Sequence, residues 1–358
     1  MPVDLTRIWY RQFHFITVFL LPFSMLFAAC TALRRWMFRV GIKKIKRVSV
    51  PVIVVGNITT GGTGKTPFVI WLAHYLQSQG YHPGIVSRGV GGKKHRLPHI
   101  VKLTDSTDHV GDEAMLLAEH TQCPLVICAD RVAATRHLLQ HFHCNIVISD
   151  DGLQHYRLGR DIEIAMVDGA RRFGNHYLLP AGPLREPISR LQKVNFVIIN
   201  GGHAPDELTM TLQATALISV QDKQKTFTLS QFPHKKVHAV AGIGHPEQFF
   251  QMLKQQGFDV IEHIFPDHYT YRAKNLHFND SLPIFMTEKD AVKCRSFADQ
   301  RYWYLSVTAK MSDGFEQKLW AQLTSIVKSS EGHHEVEEDF TSGPCHINRC
   351  VKHDAIRQ

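Results

Sequence analysis

Between Gln12 and Leu33 the sequence contains no Asp, Glu, Lys or Arg. Charge is sparse overall, at 20% of 358 residues, a little under the ~25% usual for soluble domains. One strongly apolar segment, or a deeply buried sheet, accounts for the deficit. Regular cysteine spacing is also missing. Cys30, Cys123, Cys128, Cys144, Cys294, Cys345 and Cys350 are odd in number and scattered, mostly in apolar runs. This excludes a disulfide framework and points to a reducing compartment with mostly buried thiols. There is no internal repeat and no low-complexity tract. A hydrophobic content of 44% excludes a disordered chain. The length suffices for two ordinary domains and a sizeable core.

Acid is absent from a second stretch. Residues 34–47 hold Arg34, Arg35, Arg39, Lys43, Lys44, Lys46 and Arg47 with no acidic residue among them. The whole chain carries +9, so these seven leave only +2 elsewhere. A basic balance suggests a polyanionic partner: nucleic acid, an anionic membrane face or phosphorylated substrates. With the charge so localised, the main body requires no nucleic-acid face, and none is expected.

The apolar core, FITVFLLPFSMLFAACTAL, spans 19 residues. At ~1.5 Å per residue it nearly crosses a ~30 Å hydrocarbon layer. Ala-Cys-Thr-Ala offers a small-residue cleavage region for a signal peptide. The positive charge after the apolar run, however, far exceeds that before it, which argues against export. A buried core helix is the plain alternative, and apolar length with a basic flank favours the membrane. Two membrane readings stay open: a single span with its basic side in the cytoplasm, or a helix in the interface, kinked at Pro22.

From residue 50 onward short apolar runs alternate with helical patterns. VPVIVVGN (50–57), GIVSRG (84–89), PLVICAD (124–130), NIVISDD (145–151), IEIAMVDG (162–169) and VNFVIING (194–201) are continuous rather than alternating. That is the signature of strands buried on both faces. Helical patterns at 65–79, 112–120 and 131–142 lie between them, so a parallel sheet flanked by helices is expected. Residues 236–263 read as strand, turn, helix, strand, and LPIFMTEKD and YWYLSV supply two more strands. The expected organisation is a membrane helix with its basic flank (1–47), a P-loop domain (48–204), a connector with a smaller α/β domain (205–328), and a polar, mobile tail (329–358). Residues 205–232 read only as a connector or small β element.

The most informative stretch follows the first strand: Gly56-Asn57-Ile58-Thr59-Thr60-Gly61-Gly62-Thr63-Gly64-Lys65-Thr66-Pro67. Gly64-Lys65-Thr66 is the end of a phosphate-binding loop. Glycines let backbone N–H groups turn toward phosphate oxygens. Lys65 offers charge to the β- and γ-phosphates, Thr66 offers a hydroxyl to Mg²⁺, and the next helix adds its dipole. The preceding strand and following helix meet the context test. One departure is Thr59, where such loops usually place their first glycine, so Gly61-Gly62 makes this a variant. Residues Thr60, Gly61, Gly62, Thr63, Gly64, Lys65, Thr66 and Pro67 are the expected nucleotide contacts.

Such a loop also needs a carboxylate at a strand end for Mg²⁺. Asp150-Asp151 and Asp168 qualify. Acidic strand ends are common as caps and turns, and the double Asp is preferred because Gly152-Leu153-Gln154-His155 can bend the chain around a ligand. A guanine-nucleotide switch fits poorly. Ser149-Asp150-Asp151-Gly152 lacks Asp at its first place, and in Thr287-Glu288-Lys289-Asp290 the Lys and Asp are adjacent.

Taken together, these motifs resemble one family, the tetraacyldisaccharide 4′-kinases of Gram-negative bacteria. The resemblance covers about residues 10–328. It rests on the apolar N-terminus, TTGGTGKTP, SRG at 87–89, GDEA at 111–114, DDGLQH at 150–155, GPLREP at 182–187, FPDHYTY at 265–271 and TEKDAVK at 287–293. It implies a P-loop kinase with two α/β lobes on the cytoplasmic face of the inner membrane. Such an enzyme uses ATP and Mg²⁺ to phosphorylate the 4′-hydroxyl of a tetraacylated glucosamine disaccharide 1-phosphate in lipid A biosynthesis. It further implies Asp112 as catalytic base, His268 as its partner, and Lys65 and Thr66 on the phosphates and metal. Glu113, Asp150 and Asp151 would lie near the metal, Gln154 at the substrate, and Arg185 and Glu186 as a polar pair at the cleft. Val90 departs from the aromatic expected after SRG, which puts a local contact in doubt.

Read without the resemblance, several of these residues have ordinary roles. Asp112 and Glu113 would cap a helix, His268 is one of 23 histidines, and Arg185 could be an exposed cation. Gly242-Ile243-Gly244 lacks the third glycine of a dinucleotide fingerprint and reads as a tight turn. The tail residues His333, His334, Cys345, His346, Cys350 and His353 lack standard zinc spacing. A membrane-anchored nucleotide switch or ATPase acting on a protein partner is the competing reading, and a binding protein with a degenerate loop is disfavoured by the intact Gly64-Lys65-Thr66.

Overall fold

The computed structural model describes residues 8–10, 15–93, 95–202 and 206–338, with side chains through residue 328. The first long element is helix α1 (Phe15–Arg39), which runs without a break through Pro22. Only Thr17 and Ser24 on it are buried. Phe19 is 73% exposed, Phe23 62% and Met25 72%, so its apolar surface is not core.

The apolar runs become strands because both their faces are covered. All five residues of β1 (Val52–Gly56) are buried. Side chains such as Ile53, Val54 and Val55 each contribute roughly 1.5–3 kcal/mol by leaving water. Around β1 lie β2 (Pro83–Ser87), β3 (His99–Ile100), β4 (Leu125–Ile127), β5 (Ile146–Ser149), β6 (Ile162–Asp168) and β7 (Phe196–Asn200). Their spatial order is β7-β6-β1-β5-β2-β4-β3. The pairs are parallel except β3 against β4. Helices α2 (Lys65–Ser78), α3 (Thr107–Val110), α4 (Asp112–Thr121) and α5 (Arg131–His141) connect these strands. Val54, Val86, Val126, Val147, Leu138 and Leu153 share one buried cluster.

The sheet continues without a break. β8 (Leu208–Ser219) is parallel to β7 and antiparallel to β13 (Tyr302–Met311), with β9 (Thr226–Phe227) beside it. β12 (Ile284–Thr287), β10 (Lys236–Ala241) and β11 (Asp259–Ile264) follow, all parallel to β13. Helix α6 (Pro246–Gln255) leads from β10 to β11, and α7 (Glu288–Cys294) follows β12. The expected α/β fold is therefore present: a P-loop-type parallel sheet, a smaller α/β part and an N-terminal apolar helix.

Two details add to the sequence reading. The connector at 205–232 contains a twelve-residue strand, β8. Its sequence, LTMTLQATALIS, alternates in burial rather than forming an apolar run, because its middle is partly exposed. The backbone of α8 (Phe315–Glu338) also continues past Ser329. From Glu316 onward the described residues form a unit separate from the rest of the chain. Of the tail positions weighed for zinc, Cys345, His346, Cys350 and His353 lie outside the described residues, as do the side chains of His333 and His334.

Candidate active site

The carboxyl ends of β1, β5 and β6 deliver Gly56, Asp150 and Asp168 to one edge of the sheet, where open α/β sheets bind ligands. The loop after β1 is shaped by its own side chains. Asn57 Nδ2 donates to the Thr59 carbonyl at 2.8 Å. Lys65 Nζ donates to Asn57 Oδ1 at 3.2 Å and lies 3.5 Å from Asp151 Oδ1. The Thr60 N–H donates to the Pro183 carbonyl at 2.8 Å. Gly64 caps α2 at φ 83°. A Cβ there would sit 2.5 Å from Asn200 Nδ2 and 2.9 Å from Met210 Cε, so only glycine fits. Pro67 occupies the first turn of α2, where a missing N–H costs no helix bond.

Beyond the loop opens a cavity of about 440 Å³. Gly62, Thr63, Gly64, Lys65, Thr66 and Pro67 line one side of it. Ile70, Trp71, Ile243, Met252 and Leu305 form an apolar part, and Glu113 and Lys289 a charged one. The Gly242–Gly244 segment packs against the loop. A Cβ on Gly244 would be 2.5 Å from the Gly62 N. Arg171 joins the two, donating to the Gly62 carbonyl and, at 2.6 Å, to the Gly244 carbonyl.

The two adjacent aspartates sit in opposite electrostatic settings. Asp151, at φ 47°, takes Arg185 Nη1 at 3.3 Å on each oxygen. Despite burial, the Lys65 and Arg185 charges hold its pKa well below the carboxylate range. Asp150 is 2% exposed. Burial first, then the Glu113 and Asp151 charges, push its pKa up to about 6. Ser87 Oγ donates to its Oδ2 at 2.9 Å, while its buried Oδ1 has no partner among the described residues. Asp168 is differently placed. Its oxygens accept from the Ala170 and Arg171 backbone N–H groups, Arg171 Nε and His245. Burial opposes these contacts, but with His245 foremost they depress its pKa to about 2.

Asp112 opens α4 behind Gly111 and is 3% exposed. His268 Nδ1 lies 3.1 and 3.2 Å from its two oxygens, although the residues are 156 apart in sequence. Lys293 Nζ is 3.5 Å from Asp112 Oδ2. Burial alone would raise the Asp112 pKa. The His268 hydrogen bond and the Lys289 and Lys293 charges outweigh it, so the carboxyl titrates below its ordinary value. The same hydrogen bond to Asp112 raises the His268 pKa. His268 has φ 58°, a left-handed conformation that typically costs a non-glycine residue ~1–3 kcal/mol and clusters at functional sites. Lys289 Nζ binds Glu113 Oε1 at 3.0 Å and Asp267 Oδ1 at 3.2 Å, and lies 3.5 Å from His268 Nε2.

A second polar group adjoins α1. Gln154 Nε2 donates to the Asn57 carbonyl at 3.0 Å and to Glu186 Oε1 at 2.9 Å. Its Oε1 accepts from Arg185 Nη1 at 3.4 Å. Glu186, 2% exposed, also accepts from Tyr156 and, at 3.5 Å, from Arg35 Nη1, and it forms an ion pair with Arg190 Nε at 3.5 Å. Arg35 belongs to α1. Farther along this helix Ser24 Oγ donates to the Leu178 carbonyl at 2.8 Å.

The site therefore gathers Lys65, Thr66, Glu113 and the loop residues around one cavity, links Asp112 to His268, and links Gln154, Arg185 and Glu186 to Asp151 and α1. Residues not singled out from the sequence complete it. Lys289 and Lys293 lie in TEKDAVK, a motif whose repeated lysines were the available signal. Asn57, Arg171 and His245 act through loop geometry. Arg131 is 1% exposed, donates to the Cys128 and Asp150 carbonyls at 2.6 and 3.2 Å, and has its pKa pulled by burial to about 10. Nothing local in the sequence marks it.

A lysine in the first turn of the helix after β1, facing carboxylates at the end of β5, is the arrangement of P-loop proteins. Known proteins narrow the class further. Residues 16–324 match the profile of the tetraacyldisaccharide-1-P 4′-kinase family. A tetraacyldisaccharide 4′-kinase from Coxiella burnetii (strain RSA 331) is 45% identical over 329 residues, covering 92% of this chain and 98% of that one. One from Nitrosococcus oceani is 48% identical over 310 residues, covering 86% and 91%. One from Shewanella sp. (strain MR-4) is 47% identical over 336 residues, covering 93% and 98%. The "apo" form of LpxK from Aquifex aeolicus, crystallised in complex with ATP, superposes with a TM-score of 0.72 at 27% identity, covering 86% and 99%. The chain belongs to the tetraacyldisaccharide 4′-kinase family and is a kinase.

Proposed function

We propose that this chain transfers the γ-phosphoryl group of ATP directly to the 4′-hydroxyl of a tetraacylated glucosamine disaccharide 1-phosphate, at the cytoplasmic face of the bacterial inner membrane, as a step of lipid A biosynthesis. One observation carries the chemical part: the Asp112–His268 pair stands next to Glu113, which lines the same cavity as Lys65 and Thr66. A base beside a phosphate-binding loop is what transfer to an alcohol requires.

The loop amides and Lys65 hold the phosphates, and the apolar end of the cavity suits an adenine. Asp112 accepts the 4′-hydroxyl proton as the bond from that oxygen to the γ-phosphorus forms and the bond to the β–γ bridging oxygen breaks, leaving ADP. Its lowered pKa keeps it ionised at neutral pH. His268 orients it from the distal part of the chain. Lys289, tied to Glu113 and Asp267, fixes the segment that carries His268. The donor set fits a hard cation: Thr66 offers a hydroxyl, and Asp150 a buried oxygen without a partner among the described residues and a raised pKa that a cation would relieve. Bound there, Mg²⁺ would neutralise charge on the phosphates. Thr66 and Asp150 are the proposed ligands, with Asp151 and Glu113 nearby. Both Asp168 oxygens already have donors, which leaves it the poorer candidate.

A substrate with four acyl chains stays in a bilayer, so the cleft must meet the membrane. Helix α1 is about 37 Å long at 1.5 Å per residue, and its apolar surface is exposed. Its Arg35 reaches Glu186 in the substrate-side network. The basic stretch 34–47 would hold anionic headgroups at about 1 kcal/mol per charge. In this reading residues 1–47 attach the enzyme, 48–204 carry loop and base, 205–328 supply His268, and 329–358 form a tail.

The test supplies γ-labelled ATP, Mg²⁺ and the tetraacyl disaccharide 1-phosphate to detergent-purified protein. Label on the lipid at the 4′ position is the expected result. Nucleotide hydrolysis with no labelled lipid would sink the proposal.

A further inference from the structure

The segment between β2 and α4 carries a cluster that phosphoryl transfer leaves unused. His99 on β3, Asp105 in the following turn and His109 in α3 each bring a ligand atom within 4.8 Å of the others. His99 Nε2 lies 2.9 Å from Asp105 Oδ2. A third imidazole adjoins them. The His95 ring stacks on His99 at 5.1 Å between centroids and meets His109 edge-on at 4.7 Å. The His99 and His109 rings meet edge-on at 4.9 Å.

We propose that His99, Asp105 and His109 form a binding site for a divalent transition-metal ion of the zinc class, its fourth position left to water. Two imidazoles and a carboxylate suit Zn²⁺ or Co²⁺, whereas Mg²⁺ and Ca²⁺ favour oxygen-only sets. Asp105 is already oriented from outside the cluster, as metal ligands usually are. The Lys102 N–H donates to Asp105 Oδ2 at 2.9 Å. His95 Nε2 is 2.9 Å from the His109 carbonyl and packs beside the three ligands. The His99 and Asp105 side chains are 30% and 18% exposed, so an ion can enter from solvent. The Lys93 N–H donates to the His109 carbonyl at 3.1 Å, and the Gly111 N–H to the Thr107 carbonyl at 2.8 Å. An ion at the cluster would therefore tie β3 to the short helix leading into Asp112, a consequence that rests on the catalytic reading of Asp112. The metal site itself does not.

The experiment titrates the full-length protein with Co²⁺, its nucleotide site filled with Mg²⁺ and a non-hydrolysable ATP analogue. The d–d absorption is followed, and Zn²⁺ is then added as competitor. The expected result is one cobalt equivalent, displaced by Zn²⁺, whose affinity falls more than about a hundredfold in His99→Ala/His109→Ala, since even supporting contacts are worth 10–100-fold. Asp105→Asn, close in shape and still able to accept from the Lys102 N–H, also weakens binding and guards against a folding defect in the double variant. Asp112→Ala keeps the cobalt equivalent whether or not it keeps turnover, which separates this proposal from the assignment of the base. Equal cobalt binding in wild type and Asp105→Asn would overturn the site and leave a hydrogen-bonded cluster that only closes the loop.

Discussion

Replacing His268 by Asn tests the coupling at the centre of the site. Asp112 is buried, and burial pushes its pKa up, but the His268 hydrogen bond and two lysines bring it below its ordinary value. A hydrogen bond to a charged group is worth about 1.5–3 kcal/mol. At 1.36 kcal/mol per pH unit, its loss moves the acid limb of the kcat profile upward by about one pH unit or more. The direction follows from the sign: a carboxyl held down by its partner rises when the partner goes. Lys293, 3.5 Å away, remains and keeps the displacement toward the small end. His268 titrates the other way, because Asp112 raises its pKa. Its contribution to stability is full below the ordinary histidine value and disappears as pH rises through the raised one. Any alkaline limb arising from His268 should therefore vanish in the variant. The assay is lipid phosphorylation across pH 3–9 for wild type and His268→Asn, a range that includes the acid limb of a carboxyl held below its ordinary value. An acid limb that stays where it was would refute the coupling.

Other outcomes follow from particular contacts. Gly64→Ala should abolish ATP binding and lower Tm, because the left-handed backbone costs about 1–2 kcal/mol and the added carbon meets Asn200 and Met210; isothermal titration and a thermal melt check both. Chelation with EDTA should stop transfer, and Asp150→Asn should raise the Mg²⁺ needed for half-maximal rate about tenfold or more. Glu186→Gln should lower stability by about 1–3 kcal/mol, because the buried charge serves Arg35, Arg190 and Tyr156 at once; the denaturant midpoint reports it. Phe19→Glu with Phe23→Glu should leave the far-UV spectrum and activity in detergent intact but abolish co-sedimentation with anionic vesicles.

Legibility from sequence followed the range of the interactions involved. The phosphate loop is written in consecutive residues, so Gly64, Lys65 and Thr66 and their strand and helix could be read directly. Continuous apolar runs located the strands buried on both faces. β8 escaped that criterion because its exposure alternates. The Asp112–His268 pair joins positions 156 apart, and no local pattern connects them. Only resemblance to a family suggested both. The same holds for Lys289 reaching Glu113 and for Arg35 of the apolar helix reaching Glu186, contacts made by sheet topology rather than spacing. Asp150, Asp151 and Asp168 all qualified as acidic strand ends, and only the turn after Asp151 favoured the double Asp. What separates them is the set of neighbours: two cations for Asp151, a guanidinium, an imidazole and backbone N–H groups for Asp168, and mainly a serine hydroxyl for Asp150.

The central claim is that Asp112 takes the proton of the attacking hydroxyl. Its most direct test is the turnover number of Asp112→Ala for lipid phosphorylation, with ATP affinity measured on the same protein. Removing a general base costs about 10²- to 10⁴-fold in rate, so turnover should fall by that factor while ATP binds as before. Near-normal turnover in Asp112→Ala would contradict the account.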